Sequence, residues 1–163
     1  MQFESRLGPL WLDANQTALT AISYTEIAED PQANQMILQQ AQTELESYLK
    51  GQLKDFSVPI EVTGGTAFQK NVWQALQQIP YGQTLSYQAV AEKIGRPKAV
   101  RAIGQANRAN QLPIIIPCHR VIGKNGQLTG YTGSSPAGLK IKAQLLELEK
   151  NFALGSAEEN KLN

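Results

Sequence analysis

The sequence predicts two folded parts joined near residue 64. The first, 1–63, is an α/β domain, a small sheet with one helix; the second, 64–152, is mostly α with a helix-turn-helix. Three observations point there. Short alternating segments separated by turn residues fill the first 24 positions, and one long helical pattern follows them. Thr63-Gly64-Gly65 makes a flexible joint. Beyond it come helical patterns divided by glycine and proline stops, and the charge changes sign. Residues 1–65 carry 3 basic and 9 acidic side chains, or −6, and residues 66–163 carry 12 and 5, or +7, which together make the net +1 of the chain.

The elements follow in order. Phe3 to Arg6, Leu10 to Asp13 and Ala18 to Tyr24 read as strands, with turns at Gly8-Pro9 and Asp13-Ala14-Asn15-Gln16. Asp30-Pro31 reads as an N-cap and first turn of a helix reaching Lys50, whose inner face is Ile37, Ala41, Leu45, Tyr48 and Leu49; Gly51 ends it. Val58 to Val62 is one more strand. Thr66 and Gln69 form a capping box for a helix with Phe68, Val72, Leu76 and Ile79 inward, stopped by Pro80-Tyr81-Gly82. Ser86 caps a short helix, Gly95 stops it, and Pro97 opens a third that runs to Arg108, which is helix-turn-helix grammar.

The third helix has three predicted faces. Val100, Ile103 and Asn107 meet the core; Lys98, Arg101, Gln105 and Arg108 form a basic stripe; Ala99, Ala102, Ala106 and Ala109 form a stripe of small residues. Between Thr66 and Tyr131 there are eight Lys or Arg and one acid, Glu92. A basic region of this density suits a polyanion, with a plain solvated face as the alternative.

The only cysteine and the only histidine are neighbours, Cys118-His119, inside Ile114-Ile115-Ile116-Pro117-Cys118-His119-Arg120-Val121-Ile122. The isoleucine run reads as a buried strand that holds Cys118 rigidly. A thiolate is the reactive form of cysteine, and an adjacent base raises its population, so Cys118 is a candidate nucleophile; the alternative is a small buried hydrophobe. One cysteine excludes an internal disulfide and fits a reducing cytoplasm. With one Cys and one His, a structural metal site of four such ligands cannot form, so no metal is expected. No stretch is long and apolar enough to span a membrane, and no basic-then-apolar leader opens the chain. Asn125-Gly126 signals a hairpin turn, from which Leu128 to Thr132 pairs back. Leu139 to Phe152 is the last helix, with Ile141, Leu145, Leu148 and Phe152 inward, and 153–163 reads as a disordered tail.

Pro117-Cys118-His119-Arg120-Val121-Ile122 resembles the active-site signature of the O6-alkylguanine-DNA alkyltransferases, the methylated-DNA–protein-cysteine methyltransferase family. Phe68-Gln69, Val72-Trp73, Ala75-Leu76, Ile79-Pro80, Gly82, Thr84 and Ser86-Tyr87 are similar to its first helix and turn. Ile94-Gly95, Pro97, Ala99 and Arg101-Ala102 resemble its recognition helix, Asn110 its asparagine before the active site, and Gly130-Tyr131, Gly138-Leu139, Lys142, Leu145-Leu146 and Glu149 its closing segments. The likeness spans about 66 to 150; the first 65 residues are similar to its variable N-terminal domain.

The resemblance implies a ribonuclease-H-like first domain and a winged helix-turn-helix in the second. It implies repair of O6-alkylguanine, and less well O4-alkylthymine, in double-stranded DNA, by transfer of the alkyl group to Cys118 in a single turnover without a cofactor. DNA would bind through the minor groove and the damaged nucleotide would flip into a pocket. By this resemblance Arg101 fills the gap left in the duplex, Tyr87 donates a proton to the departing guanine, and carbonyls of Cys118 and Val121 with the N–H of Thr132 read the base beside Tyr131. His119 takes the thiol proton, Glu149 orients His119, and Asn110 holds the turn. A non-repairing alkyltransferase-like lesion binder is the alternative, although such proteins lack the cysteine. A transcriptional regulator would need a dimer interface or effector domain, and neither is visible; a monomer without an obligate protein partner is expected.

Overall fold

The computed structural model describes residues 1–129, 131 and 136–162, with side chains in the last segment described as far as Ala153. The chain divides into two units. One comprises Met1–Gly64 with Gln111–Pro113, and the other Gly65–Asn110 with Ile114–Asn163.

In the first unit the alternation of apolar residues produces an antiparallel meander, β1 (Gln2–Ser5), β2 (Gly8–Ala14) and β3 (Leu19–Ser23). Phe3 pairs with Leu10 and Leu12 with Ile22, which places these side chains on one buried face. Helix α1 (Gln35–Leu49) packs on β2 and β3 through Ile37, Leu38, Ala41, Leu45 and Tyr48. It starts later than Asp30-Pro31 suggests. Asn34 is the N-cap, its side chain accepting from the N–H groups of Met36 and Ile37, while Asp30 closes a turn with Ala33. The predicted strand Val58–Val62 reduces to one parallel bridge between Ile60 and Leu19. Glu44 explains why, because its carboxylate accepts from the N–H groups of Ser57 and Val58 and draws that stretch to α1. Gln111 joins this unit, its carbonyl accepting from Ile22 N–H at 2.9 Å.

The second unit starts with α2 (Ala67–Leu76), entered through the complete Thr66–Gln69 capping box. Strand β4 (Leu85–Ser86) leads into α3 (Tyr87–Lys93), capped by Ser86, and α4 (Val100–Arg108) follows a turn in which Gly95 has φ +74. Trp73 ties α2 to α4 by donating its indole N–H to the Ala106 carbonyl at 2.8 Å. Strand β5 (Val121–Ile122) pairs in parallel with β4, and α5 (Pro136–Leu162) packs on the turn that carries Cys118. Gly82, at φ +79, allows the close passage of α5, since a Cβ there would lie 2.7 Å from that of Ala153.

Four further expectations change. Helix α4 begins at Val100 and not at Pro97, so Lys98 and Ala99 precede it; Ala99 is its cap without a side-chain bond. The Asn125-Gly126 turn forms, with φ +64 and +79, but Gln127–Thr129 do not continue as a strand. Helix α5 begins before Leu139 and continues over 153–162, where a disordered tail is expected, in a stretch rich in helix formers. Its buried face is also different: Lys142, Leu145 and Glu149 are buried, whereas Ile141, Leu148 and Phe152 are half-buried.

Candidate active site

The isoleucine run is not a strand. Ile114 has φ +76, a left-handed conformation that β-branched residues rarely adopt, and Ile114-Ile115 form a turn. The segment is held from behind by Asn110, whose Nδ2 donates to the Ile116 carbonyl at 2.9 Å and to Cys118 Sγ at 3.2 Å. Cys118 then opens a 3-10 turn, Cys118–Arg120, in which all three side chains are buried. The tight turn lets three successive polar residues reach different parts of the interior, which a strand would have split between two faces.

Burial pushes the Cys118 thiol up to about 11, against the lowering effects of the Asn110 hydrogen bond and the charge of Lys142. At neutral pH it is a thiol and needs a base. His119, fully buried, has its pKa lowered by desolvation although Glu149 acts in the opposite sense, so the ring is neutral. Burial alone would raise the Glu149 carboxyl, but hydrogen bonds and charge from His119 and Arg120 outweigh it and hold it at about 2. The ionised carboxylate must accept, so the 2.9 Å contact to His119 Nε2 places the ring proton on Nε2. His119 Nδ1 is left as a buried lone pair with no partner among the described residues.

Arg120 completes this cluster. Its Nε and Nη2 donate to the two oxygens of Glu149, both at 2.8 Å, and its Nη1 donates to the Ile79 carbonyl at 2.6 Å. Lys142, on the same face of α5, donates to the carbonyls of Val121 at 2.6 Å and Thr129 at 3.0 Å. Burial lowers it to about 8, which leaves it cationic at neutral pH.

A cavity of about 210 Å³ opens beside α4. Tyr87, Thr129 and Tyr131 form part of its lining, and Val100, Gly104, Asn107 and Arg108 of α4 form the rest. The Tyr87 hydroxyl donates to the Thr129 carbonyl at 3.2 Å and accepts from Thr129 Oγ1 at 3.0 Å. Lys142 Nζ lies 5.7 Å from the centre of the Tyr87 ring, so the cation of α5 reaches the wall of this cavity.

The structure therefore brings Cys118, His119, Glu149 and Asn110 into linked contacts, and Tyr87 and Tyr131 into the cavity. Val121 enters through its carbonyl, which already accepts from Lys142. Thr132 lies outside the described residues. Lys98, Arg101, Gln105 and Arg108 are exposed, which agrees with a solvent-facing basic stripe. The small-residue stripe is broken, because Ala106 is fully buried under Trp73 while Ala99 and Ala102 are half-buried. Val100, expected in the core, is 37 % exposed at the cavity. Sequence reasoning missed Arg120, Lys142, Asn107, Gly104 and Thr129 as parts of the site. The first two carried one available signal, their place in the resemblance motifs.

Fold and site together define a two-unit protein whose second unit holds one buried cysteine in a polar cluster. Residues 67–151 match the family profile of the 6-O-methylguanine DNA methyltransferase DNA-binding domain, and residues 2–62 match that of its ribonuclease-like domain. A relative from Methanosarcina acetivorans, named methylated-DNA–protein-cysteine methyltransferase, is 44 % identical over 153 residues, covering 90 % of this chain and 95 % of its own. A constitutive methyltransferase of the same name from Bacillus subtilis is 49 % identical over 140 residues, 86 % and 77 % of the two chains. The crystal structure of Mycobacterium tuberculosis OGT in complex with DNA superposes with a TM-score of 0.79 at 43 % identity, covering 93 % and 92 %. The chain belongs to the 6-O-methylguanine DNA methyltransferase family.

Proposed function

We propose that this protein repairs O6-alkylguanine, and less well O4-alkylthymine, in double-stranded DNA by moving the alkyl group onto Cys118. The observation that carries the reading is the Cys118 thiol held by Asn110 in a turn whose next residue is a neutral histidine on an ionised glutamate. Cys118 Sγ attacks the alkyl carbon. The S–C bond forms as the C–O6 bond breaks, and the electron pair of that bond leaves with guanine. The thiol proton passes to His119 Nδ1, directly or through a water, while Glu149 stabilises the imidazolium that results. Tyr87 protonates the departing base, and its phenolate then regains a proton from the His119 imidazolium through solvent, so that the net proton transfer is from thiol to guanine. A thioether is a poor leaving group, so each molecule reacts once and no cofactor takes part.

The α3–turn–α4 unit acts as a helix-turn-helix, with the β4–β5 pair and the turn at 124–126 as its wing. Arg101, Gln105 and Arg108 of α4 and Lys98 before it meet the DNA backbone, and Ala99 and Ala102 permit close approach in the minor groove. Arg101 occupies the gap when the nucleotide flips. The flipped base enters the cavity lined by Tyr87 and Tyr131, where the Cys118 and Val121 carbonyls and Thr132 N–H read it. The protein acts as a cytoplasmic monomer without an obligate protein partner.

Incubation with an oligonucleotide bearing O6-methylguanine tests this by intact mass. The expected result is a stoichiometric gain of about 14 Da, one methylene, that is lost in Cys118→Ala. Tight lesion binding with unchanged mass would overturn it in favour of the non-repairing lesion binder. The presence of Cys118 and the named methyltransferases covering most of the chain already weigh against that reading.

A further inference from the structure

Asn107 is a buried polar group of the second unit, among the described residues, to which the proposed reaction gives no part. It is 8 % exposed, it lines the cavity, and neither its Oδ1 nor its Nδ2 has a hydrogen-bond partner among the described residues. A buried amide with nothing to bind costs stability, and native structures keep such groups where they serve a ligand or a reaction. Its neighbours accentuate the contrast. Within the same cavity the Tyr87 hydroxyl has two partners, and elsewhere in the unit Glu149 accepts three charge-assisted hydrogen bonds. Gly104, one turn earlier on α4, carries no side chain to fill the space beside Asn107, and a Cβ there would meet only Tyr87, at 4.0 Å.

We propose that Asn107 is a specificity-determining residue whose amide pairs with the polar edge of the base seated in this cavity. An amide offers one donor and one acceptor side by side. O6-alkylguanine presents the matching pair, since alkylation of O6 leaves N1 as an acceptor next to the N2 amino group, one hydrogen of which goes to Asn107 while the other is left to the carbonyls of Cys118 and Val121. Unmodified guanine presents two donors there, N1–H and N2–H, and whichever way the amide is turned one of them is opposed by Nδ2–H. A site built to hydrogen-bond its ligand in this way rejects the mismatched one, because polar groups are then left buried and unpaired. The pairing needs only rotation about the soft terminal torsion of Asn107, which nothing in the described residues restrains by a hydrogen bond. The inference rests on the reading of the cavity as the base pocket.

The test uses the full chain as Asn107→Leu, of similar size, and Asn107→Ser, which keeps a polar group. Single-turnover methyl transfer is measured from duplexes carrying O6-methylguanine and from duplexes carrying O6-methylhypoxanthine, which lacks the amino group. The expected result for Asn107→Leu is transfer from O6-methylguanine slowed about 10- to 100-fold, a smaller loss on O6-methylhypoxanthine, and weaker competition by O6-methylguanine oligonucleotides over unmodified ones. The thermal midpoint of the free protein should rise, because the substitution removes an unpaired buried amide. Unchanged rates with both variants would overturn the proposal. So would equal losses on both substrates together with a lowered midpoint, which is the mark of a purely structural residue. Failure of the wild-type protein to gain mass would instead count against the function reading itself.

Discussion

Two regions of the second unit follow opposite rules. Around Glu149, polar groups are buried and, apart from the His119 Nδ1 lone pair, paired: one carboxylate takes bonds from His119 and two nitrogens of Arg120, and Arg120 also reaches the Ile79 carbonyl. Along α4, charges stand in solvent and the one deeply buried amide, Asn107, has no partner among the described residues. The saturated region keeps its geometry without help and sets protonation states. The unsatisfied region has its binding capacity unspent, as a surface waiting for a ligand should. On the proposed reading, chemistry and recognition are divided between this buried polar cluster and an open helix face.

The largest test of this division is Glu149→Ala. It strands the buried guanidinium of Arg120, and the expected loss is about 3–5 kcal/mol of unfolding free energy, measured by denaturant titration. A loss no larger than that of a surface mutation would show that the network is not structural. Acid should act on the same cluster. The Glu149 carboxyl sits at about 2, below its ordinary value of 4.5, so its contribution is complete above 4.5 and disappears as pH falls towards 2. His119 adds to this, because its lowered pKa makes the unfolded chain take up the proton first, and stability begins to fall below its ordinary value of 6.5.

His119→Gln probes protonation. With the thiol at about 11, removal of the base should leave transfer dependent on the free thiolate, rising about tenfold per pH unit between pH 7 and 9. Wild-type protein should show a much flatter profile; matching profiles would remove His119 from the proton path. Arg101→Ala addresses the recognition side. It is expected to slow repair in duplex DNA by about tenfold and to leave reaction with free O6-alkylguanine unchanged, while equal losses would contradict a role in flipping. Smallest is Asn34→Ala, which removes the α1 cap. It should cost about 1 kcal/mol in unfolding free energy and leave transfer at low temperature as it was.

Much of this division was legible in the residues. The Thr66–Gln69 capping box, the Ser86 cap, glycine stops and the alternation in the first unit predicted elements that formed, because each depends on neighbours in sequence. The charged stripe was legible for the same reason. The saturated network was less so: Lys142 and Glu149 lie inward on α5 because their partners, Val121 and Arg120, are brought to them from elsewhere in the chain. Periodicity assigns the inner face to apolar residues and so selected Ile141, Leu148 and Phe152. The isoleucine run failed as a strand for a related reason. Three β-branched residues favour extension, but Ile114 is held in a left-handed turn between Asn110 and Cys118. Asn107 was assigned to the core correctly as to burial; that its amide would be unpaired depends on tertiary structure alone.

The return of Gln111–Pro113 to the first unit bears on how such a protein can be rearranged. A recombination event or engineered exchange that cut at Gly64 would appear to swap one module for another. It would carry over only part of the first unit, since three residues of it are encoded between Asn110 and Cys118, and Gln111 needs an amide like that of Ile22 to receive its carbonyl. The reactive cysteine and the first unit are therefore inherited together: a graft that ignores residues 111–113 would disturb the turn that holds the thiol, even with every residue of the signature unchanged.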